Sequence, residues 1–225
     1  MKLVIFDIDG TLTHTNYADK ACYLRTIREL ISEGVQHYEE ESFTHFTDSC
    51  MVVELHERYA GYTPTTAQVE AFQRRYFEML RRVWQEDRSH FAAVRGAEDV
   101  LLRLREEGWA VALATGCWLE SAQIKLGFAG VSLPENAPLS TASTGYSRMD
   151  IVRNAVTWAQ STYKQSAFEH TVYVGDGVWD LRTCAALSLP FVGIDVDDNE
   201  RRQTLLGEFC ILRDYSDWGR VVEAL

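Results

Sequence analysis

The feature that most constrains this chain lies at its start. Leu3-Val4-Ile5-Phe6 is an unbroken apolar run with β-branched members, followed at once by Asp7-Ile8-Asp9-Gly10. A short run that is apolar at every residue, not at alternate ones, predicts a strand buried on both faces, as in a parallel sheet. Asp7 ends the strand, and Gly10-Thr11 turn the chain away. Two carboxylates at the carboxyl end of such a strand stand where open α/β sheets bind ligands. So close together, they do not both stay ionised comfortably without a cation. One can attack an electrophile, and the other, with a raised pKa, can donate a proton. Asp-x-Asp-Gly alone also suits an ordinary acidic turn, so the remaining residues must decide.

After Thr13 the pattern turns helical. Thr15 can cap a segment with Tyr17, Ala21, Leu24, Ile27 and Leu30-Ile31 at helical spacing, with Gly34 to stop it. Residues 37–47 are polar with scattered aromatics and no period. A second helix is expected over Asp48–Tyr59, ended by Gly61. Thr65 and Gln68 are spaced as a capping box ahead of Val69, Phe72, Tyr76, Leu80 and Val83, which share one apolar face. No strand is expected between residues 14 and 93.

Strand–helix alternation resumes near Val94. Helices are expected over Ala97–Glu107, Cys117–Leu126 (closed by Gly127-Phe128), Arg148–Gln160 and Leu181–Leu187. Strands are expected over Trp109–Ala114, Thr171–Val174, Phe191–Ile194 and Phe209–Leu212. Residues 129–146 read as a short strand plus loop, and Ser216-Asp217 as the cap of a last helix. The fold class is therefore α/β, a Rossmann-like parallel sheet with helices on both faces and an inserted all-helical cap. The expected division is a core domain of residues 1–13 and 94–225, with a cap domain of residues 14–93.

Composition excludes several function classes. A net charge of −11 argues against nucleic acid as a partner, because phosphate backbones demand basic patches. No apolar stretch approaches the length of a membrane span, and no charged-then-apolar leader opens the chain, so no membrane partner is expected and cytoplasm is the default. Cys22, Cys50, Cys117, Cys184 and Cys210 are scattered, without a Cys-x-x-Cys pair, so neither zinc nor a disulfide framework follows. An acidic protein that handles an anion needs a local positive centre, which a metal can supply.

Two further stretches carry chemistry. Ala114-Thr115-Gly116 closes the second clear strand, so Thr115 stands at the same sheet edge as Asp7, just before a helix N-terminus that favours anions. Val172-Tyr-Val-Gly-Asp-Gly-Val-Trp-Asp180 reads as strand, Gly-Asp-x-x-x-Asp, helix. Asp176 and Asp180 share one side if the first helical turn has begun. With Asp7 and Asp9 they would place four carboxylates around one point, at a cost on the order of several kcal/mol per uncompensated charge.

Taken together, these stretches resemble the haloacid dehalogenase superfamily, phosphoryl-transfer enzymes that use an aspartyl-phosphate. Phe6-Asp-Ile-Asp-Gly-Thr-Leu-Thr13 is similar to its first motif, Thr115 to its second and Asp176–Asp180 to its fourth. The third is a basic residue, usually Lys, at the start of the helix before the fourth motif's strand. Here that position holds Arg148, a planar fork where the family has a point charge. Lys125, ending an earlier helix, and Lys164, in a loop, read as misplaced.

The resemblance implies a Mg²⁺-dependent phosphatase with Asp7 as nucleophile and Asp9 as acid and base. Thr115, Gly116 and Arg148 would hold the phosphoryl group. Asp7, Asp9 (through its carbonyl), Asp176 and Asp180 would hold the metal. Mg²⁺ is favoured over zinc by the hard oxygen ligands. Asp9 argues against the dehalogenases, whose halide needs no proton. Phosphonate-cleaving members use a cap lysine, and Lys20 is the only lysine between residues 14 and 93. A phosphosugar mutase of the same superfamily and a non-catalytic binding protein are the alternatives. The expected partner is a small phosphorylated metabolite. Within the cap, His14, Asn16 and Tyr17 can reach the leaving group or merely form the hinge. Arg74-Arg75 and Arg81-Arg82 suit a solvated helix face better than an anion site. Trp118 and Trp179 can line the entrance or pack, and Asp195–Asp198 reads as an acidic surface loop.

Overall fold

The computed structural model describes residues 1–195 and 210–225. The first apolar run forms β1 (Leu3–Phe6), followed by β2 (Ala110–Ala114), β3 (Leu139–Ser140), β4 (Thr171–Gly175), β5 (Phe191–Ile194) and β6 (Cys210–Leu212). They pair, all in parallel, as a six-stranded sheet of order β3-β2-β1-β4-β5-β6. β1 is central, with Val4 opposite Val111 on one side and Val172 on the other. All four of its residues are buried, which accounts for the lack of alternation in the sequence.

Helices α4 (Ala97–Glu106), α5 (Leu119–Ala129), α6 (Arg148–Tyr163), α7 (Val178–Leu187) and α8 (Trp218–Ala224) accompany the sheet, whereas α1 (Asn16–Leu30), α2 (Asp48–Tyr59) and α3 (Thr66–Glu86) lie between β1 and α4. Successive side chains of a strand point to opposite faces, and two cores result. Leu3, Ile5, Ala112 and Tyr173 pack with Ile151, Val152 and Ala155 of α6. Val4, Phe6, Leu113 and Val174 pack with Val100 and Leu104 of α4 and Val221 of α8. The strand order reverses at β1: β2 and β3 extend to one side, β4 to β6 to the other. The crevice between β1 and β4 is therefore the place where such sheets bind ligands.

Residues 14–93 contain helices, two 3₁₀ turns and loops, but no named strand. They leave and rejoin the sheet region at one point. Thr13 bridges Ala93, the His14 amide donates to the Ala92 carbonyl at 2.8 Å, and the Val94 amide donates to the Leu12 carbonyl at 2.9 Å. Their core is aromatic: Tyr23, Phe72, Tyr76 and Phe77 surround Trp118, the residue before α5, which is buried. Trp118 thus packs rather than lining an entrance. The Thr65–Gln68 capping box forms as its spacing predicts, with both reciprocal bonds made.

Several boundaries differ from the sequence expectation. Helix α1 stops at Leu30, short of Gly34: the Ser32 amide returns to the Ile27 carbonyl, and Arg28 Nε donates to the Val35 carbonyl at 2.6 Å. Helix α5 starts at Leu119 and runs through Gly127, because Cys117 is held by other contacts and Gly130, with φ 75°, makes the C-terminal cap. Helix α7 begins at Val178, three residues early, since the Asp180 carboxylate accepts the Gly177 amide at 3.2 Å. Asp195 is buried instead of forming a surface loop, and its amide donates to Leu212 at 3.0 Å. Residues 196–198 and Phe209 lie outside the described residues.

Candidate active site

Asp7 follows β1 directly, and its amide still pairs with the Val174 carbonyl at 3.0 Å, so the sheet itself fixes its backbone. Asp176 follows β4, and Asp180 sits in the first turn of α7. One oxygen from each of Asp7, Asp176 and Asp180 lies within 4.8 Å of the others, and all three residues are buried. Asn16 donates to Asp176 Oδ2 at 3.0 Å. Gly10 turns the loop with φ 72°, and a Cβ there would collide with the Asp176 carboxylate and the Asn16 amide.

Arg148 supplies the positive charge. It is the first residue of α6, whose start is fixed by a capping box between Ser147 and Asp150. Its Nη1 donates to Asp180 Oδ1 at 2.6 Å and lies 3.8 Å from Asp7 Oδ1, while Nε donates to the Phe46 carbonyl at 3.0 Å. Tyr173 donates to the same Asp180 oxygen at 3.1 Å. Gly116 allows this approach, for a Cβ there would meet Arg148 Nη2 and the Phe46 carbonyl at 2.8 Å each. The guanidinium thus lies beside Asp7 and Asp180.

Asp9 departs from the sequence expectation. Its carboxylate does not join the other three. Oδ2 accepts Lys125 Nζ at 2.6 Å and the Cys117 thiol at 2.8 Å, and Oδ1 accepts the Thr15 hydroxyl. Four carboxylates around one point is therefore corrected to three, because an ammonium draws the fourth aside. Lys125, which reads as misplaced in the sequence, has no exposed side-chain surface and also meets Asp19 at 2.7 Å and Cys117 Sγ at 2.9 Å. Asp19 further accepts the Tyr76 hydroxyl. No local pattern marks Lys125 as pointing inward, since its neighbours Ile124 and Leu126 lie about 100° to either side of it on the helix.

These surroundings divide the carboxyls unexpectedly. Burial, then the charge of Asp180, push Asp7 well above the usual carboxylate range, and Arg148 offsets this only in part. Burial would raise Asp9 too, but the Lys125 charge and the hydrogen bonds from Cys117, Lys125 and Thr15 bring it below its ordinary value. The raised carboxyl of the pair is thus Asp7, not the presumed proton donor. Lys125 is held well above the usual lysine value, since Asp19 and Asp9 outweigh its burial.

A cavity of about 290 Å³ joins these groups. Asp7, Asp9, Thr115, Gly116 and Arg148 line it, as do Tyr17 and Trp179. The Thr115 hydroxyl accepts the Cys117 amide at 3.4 Å. Trp179 packs against Phe46 with ring centres 4.3 Å apart. His14 is not among the lining residues, and Lys164 is the left-handed cap at the end of α6. The four cap arginines form outward ion pairs: Arg74 with Glu70, Arg75 with Glu29 and Glu78, Arg81 with Glu120 and Arg82 with Glu86. Each is matched by a carboxylate, as suits a solvated helix face.

The donor set suits a hard dication. Three buried carboxylates cluster beside one guanidinium, which reaches two of them, and Asp7 Oδ1 has no hydrogen-bond donor. Oxygen-only ligands of this kind fit Mg²⁺. No helix among the described residues is long and apolar enough to cross a membrane.

Comparison with known proteins agrees with this fold. Structures that superpose on almost the whole chain include a hydrolase from Pseudomonas syringae (17% identity, 99% of this chain and 98% of that one, TM-score 0.69). A putative β-phosphoglucomutase from Bacteroides vulgatus matches with 18% identity over 100% and 90% of the two chains, TM-score 0.69. CbbY from Rhodobacter sphaeroides, solved in complex with phosphate, matches with 17% identity over 96% of each chain, TM-score 0.68. At such identities these likenesses speak for the fold. No curated protein matches the chain. The family profile described as haloacid dehalogenase-like hydrolase matches residues 4–194, a span that takes in all four motifs. With sheet order, buried acidic centre and family profile in agreement, this chain belongs to the haloacid dehalogenase-like hydrolases.

Proposed function

We propose that the enzyme hydrolyses a small phosphate monoester in two steps, with Asp7 as the nucleophile. The carrying observation is Asp7 itself: buried, fixed by β1, with one carboxylate oxygen lacking a donor and a guanidinium 3.8 Å away. Asp7 attacks phosphorus, the P–O bond to the alcohol breaks, and an aspartyl-phosphate forms. Arg148 and the Thr115 hydroxyl, with Gly116 giving room for close approach, hold the phosphoryl oxygens. Asp9, ionised against Lys125 in the structure, gains a proton when the anionic ester arrives beside it, gives that proton to the departing alcohol oxygen and later takes one from the water that hydrolyses the intermediate. Asp7, Asp176, Asp180 and the Asp9 carbonyl would hold Mg²⁺, which when bound would offset negative charge on the phosphoryl group and bring the Asp7 carboxyl down to the ionised form that attack requires. Residues 14–93 act as a cap that covers the site, the remaining residues forming the core domain, and a small phosphorylated metabolite in the cytoplasm is the substrate.

One observation keeps a mutase in view. The Asp9 side chain is only 15% exposed beneath the helical segment, and shielding from water is what lets a phosphoenzyme return its phosphoryl group to a second hydroxyl. The experiment is Mg²⁺-dependent phosphate release across small esters, with sugar phosphates followed for product identity, on the parent and on Asp7→Asn. A folded Asp7→Asn without turnover, and parent activity lost in chelator and restored by Mg²⁺, are expected. Retained turnover in Asp7→Asn removes the nucleophile assignment. Isomerisation without net release turns the reading to a mutase.

A further inference from the structure

The cavity has two chemically different ends. Its floor, with Asp7, Thr115 and Arg148, receives the phosphoryl group in the reading above. The facing wall comes from the helical segment and includes Asn16, Asp19, Lys20, Glu40 and Asp48. Positive charge on that wall is already matched. Lys20 pairs with Glu40 at 2.9 Å. The single ammonium of Lys125 serves two carboxylates, Asp9 at 2.6 Å and Asp19 at 2.7 Å. Arg148 is bound to Asp180.

Asp48 stands apart from these pairs. It opens α2, is 6% exposed and lines the cavity. Its Oδ2 accepts the Trp118 amide at 2.9 Å, and among the described residues no cation pairs with it. Burial, followed by the charge of Asp19, pushes its carboxyl up to about 8, which agrees with a wall that has no positive charge to spare.

We propose that the alcohol half of the substrate is uncharged and hydroxyl-bearing, a sugar or polyol monophosphate with one hydroxyl bonded to Asp48, and that esters with a second anionic group are rejected. The inference rests on the phosphatase reading and narrows it. A hydroxyl both donates and accepts, so it satisfies a carboxyl in either protonation state. A carboxylate or second phosphate on the alcohol would instead lie beside Asp9 and Asp19, which together have one ammonium, in surroundings that screen charge poorly.

The test is kcat/KM with Mg²⁺ for matched esters: glycerol phosphate against phosphoglycolate, a hexose monophosphate against its bisphosphate, and p-nitrophenyl phosphate as a reference without hydroxyls. The uncharged member of each pair is expected to lead by about tenfold or more. Asp48→Ala should raise KM for glycerol and hexose phosphates about tenfold more than for the reference. Asp48→Leu, which fills a similar volume but offers a hydroxyl no partner, should shift the same ratio in the same direction if the alanine variant does not fold. An anionic ester turned over as well as its neutral partner overturns the inference and leaves the phosphatase reading standing. Equal loss on all esters in a folded Asp48 variant removes the Asp48 contact. No turnover of any ester, the reference included, brings down the phosphatase reading and the inference with it.

Discussion

Lys125 shows how a charged residue can be indispensable without touching the phosphoryl centre. Its ammonium is closed off from solvent and meets Asp9, Asp19 and Cys117. Removing one member of such a buried set leaves uncompensated charge, at about 3–5 kcal/mol. Lys125→Met keeps the stem but strands two facing carboxylates, so its denaturation midpoint should fall by that measure. Adding Asp19→Asn should recover part of the loss; strictly additive effects would show that the three groups are not coupled. Asp48 behaves in the opposite sense. Its carboxyl, ordinarily near 3.8, rises to about 8 on folding. The folded chain therefore keeps a proton that the unfolded chain releases, and stability from this group is full below the lower value and declines as pH rises to the upper one. Asp48→Asn should melt higher than the parent at neutral pH, by up to a few kcal/mol in stability, with the gap closing in acid. A gap that ignores pH would refute the assignment. Sequence reading does well for residues whose partners are local and poorly for the others. Arg148 and Asp180 are legible because each sits in a short local pattern at the start of a helix, Arg148 as the first residue of α6 and Asp180 at the end of Gly-Asp-x-x-x-Asp. Thr15 was read as a helix cap, and it does precede α1, but its hydroxyl goes to Asp9 instead of to the helix. The partners of Lys125 lie 106 and 116 positions away, beyond any local pattern.

Elements place these residues through turns more than through their interiors. The loop after β1 succeeds because Gly10 takes a left-handed conformation and leaves its volume to Asp176 and Asn16. Gly10→Ala should therefore lower kcat by on the order of a hundredfold, as misplacement of about 1 Å does, with far-UV circular dichroism unchanged. A fully active variant would show that the loop adapts. Helix α2 covers the expected Asp48–Tyr59, and the start and apolar face of α3 are readable because amphipathic spacing and the Thr65 box act within single turns. Helix α5 differs from the sequence expectation at both ends. Cys117 is drawn into the site, and Gly127 is tolerated inside the helix while Gly130 provides the left-handed cap. Glycine marks a helix end only when the chain needs that conformation there.

For the whole molecule, strand–helix alternation announced a parallel sheet, but strand order follows from packing across the sheet, and no local pattern encodes it. That order puts β1 beside β4, and so brings Asp7 to Asp176 and Asp180. A dication held there binds the folded chain alone, and at a hundredfold excess over its dissociation constant it adds about 2.7 kcal/mol. Millimolar Mg²⁺ should raise the melting temperature above that in chelator, an effect lost when Asp7 is replaced by Asn. Identical melting in both solutions would argue against the three-carboxylate centre as a metal site.

The paired crossing at Thr13 and Ala93 has a consequence for how such an enzyme diversifies. A segment whose two ends already meet can be exchanged for another without stretching the scaffold beneath it, so specificity can change by transplantation while β1 and its aspartates stay in place. Trp118 sets the condition for a successful graft. It rises from the scaffold into the aromatic nest of Tyr23, Phe72, Tyr76 and Phe77. Any incoming segment must bring a nest for that indole, or the scaffold would show water a large oily surface and lose the solubility on which the exchange depends.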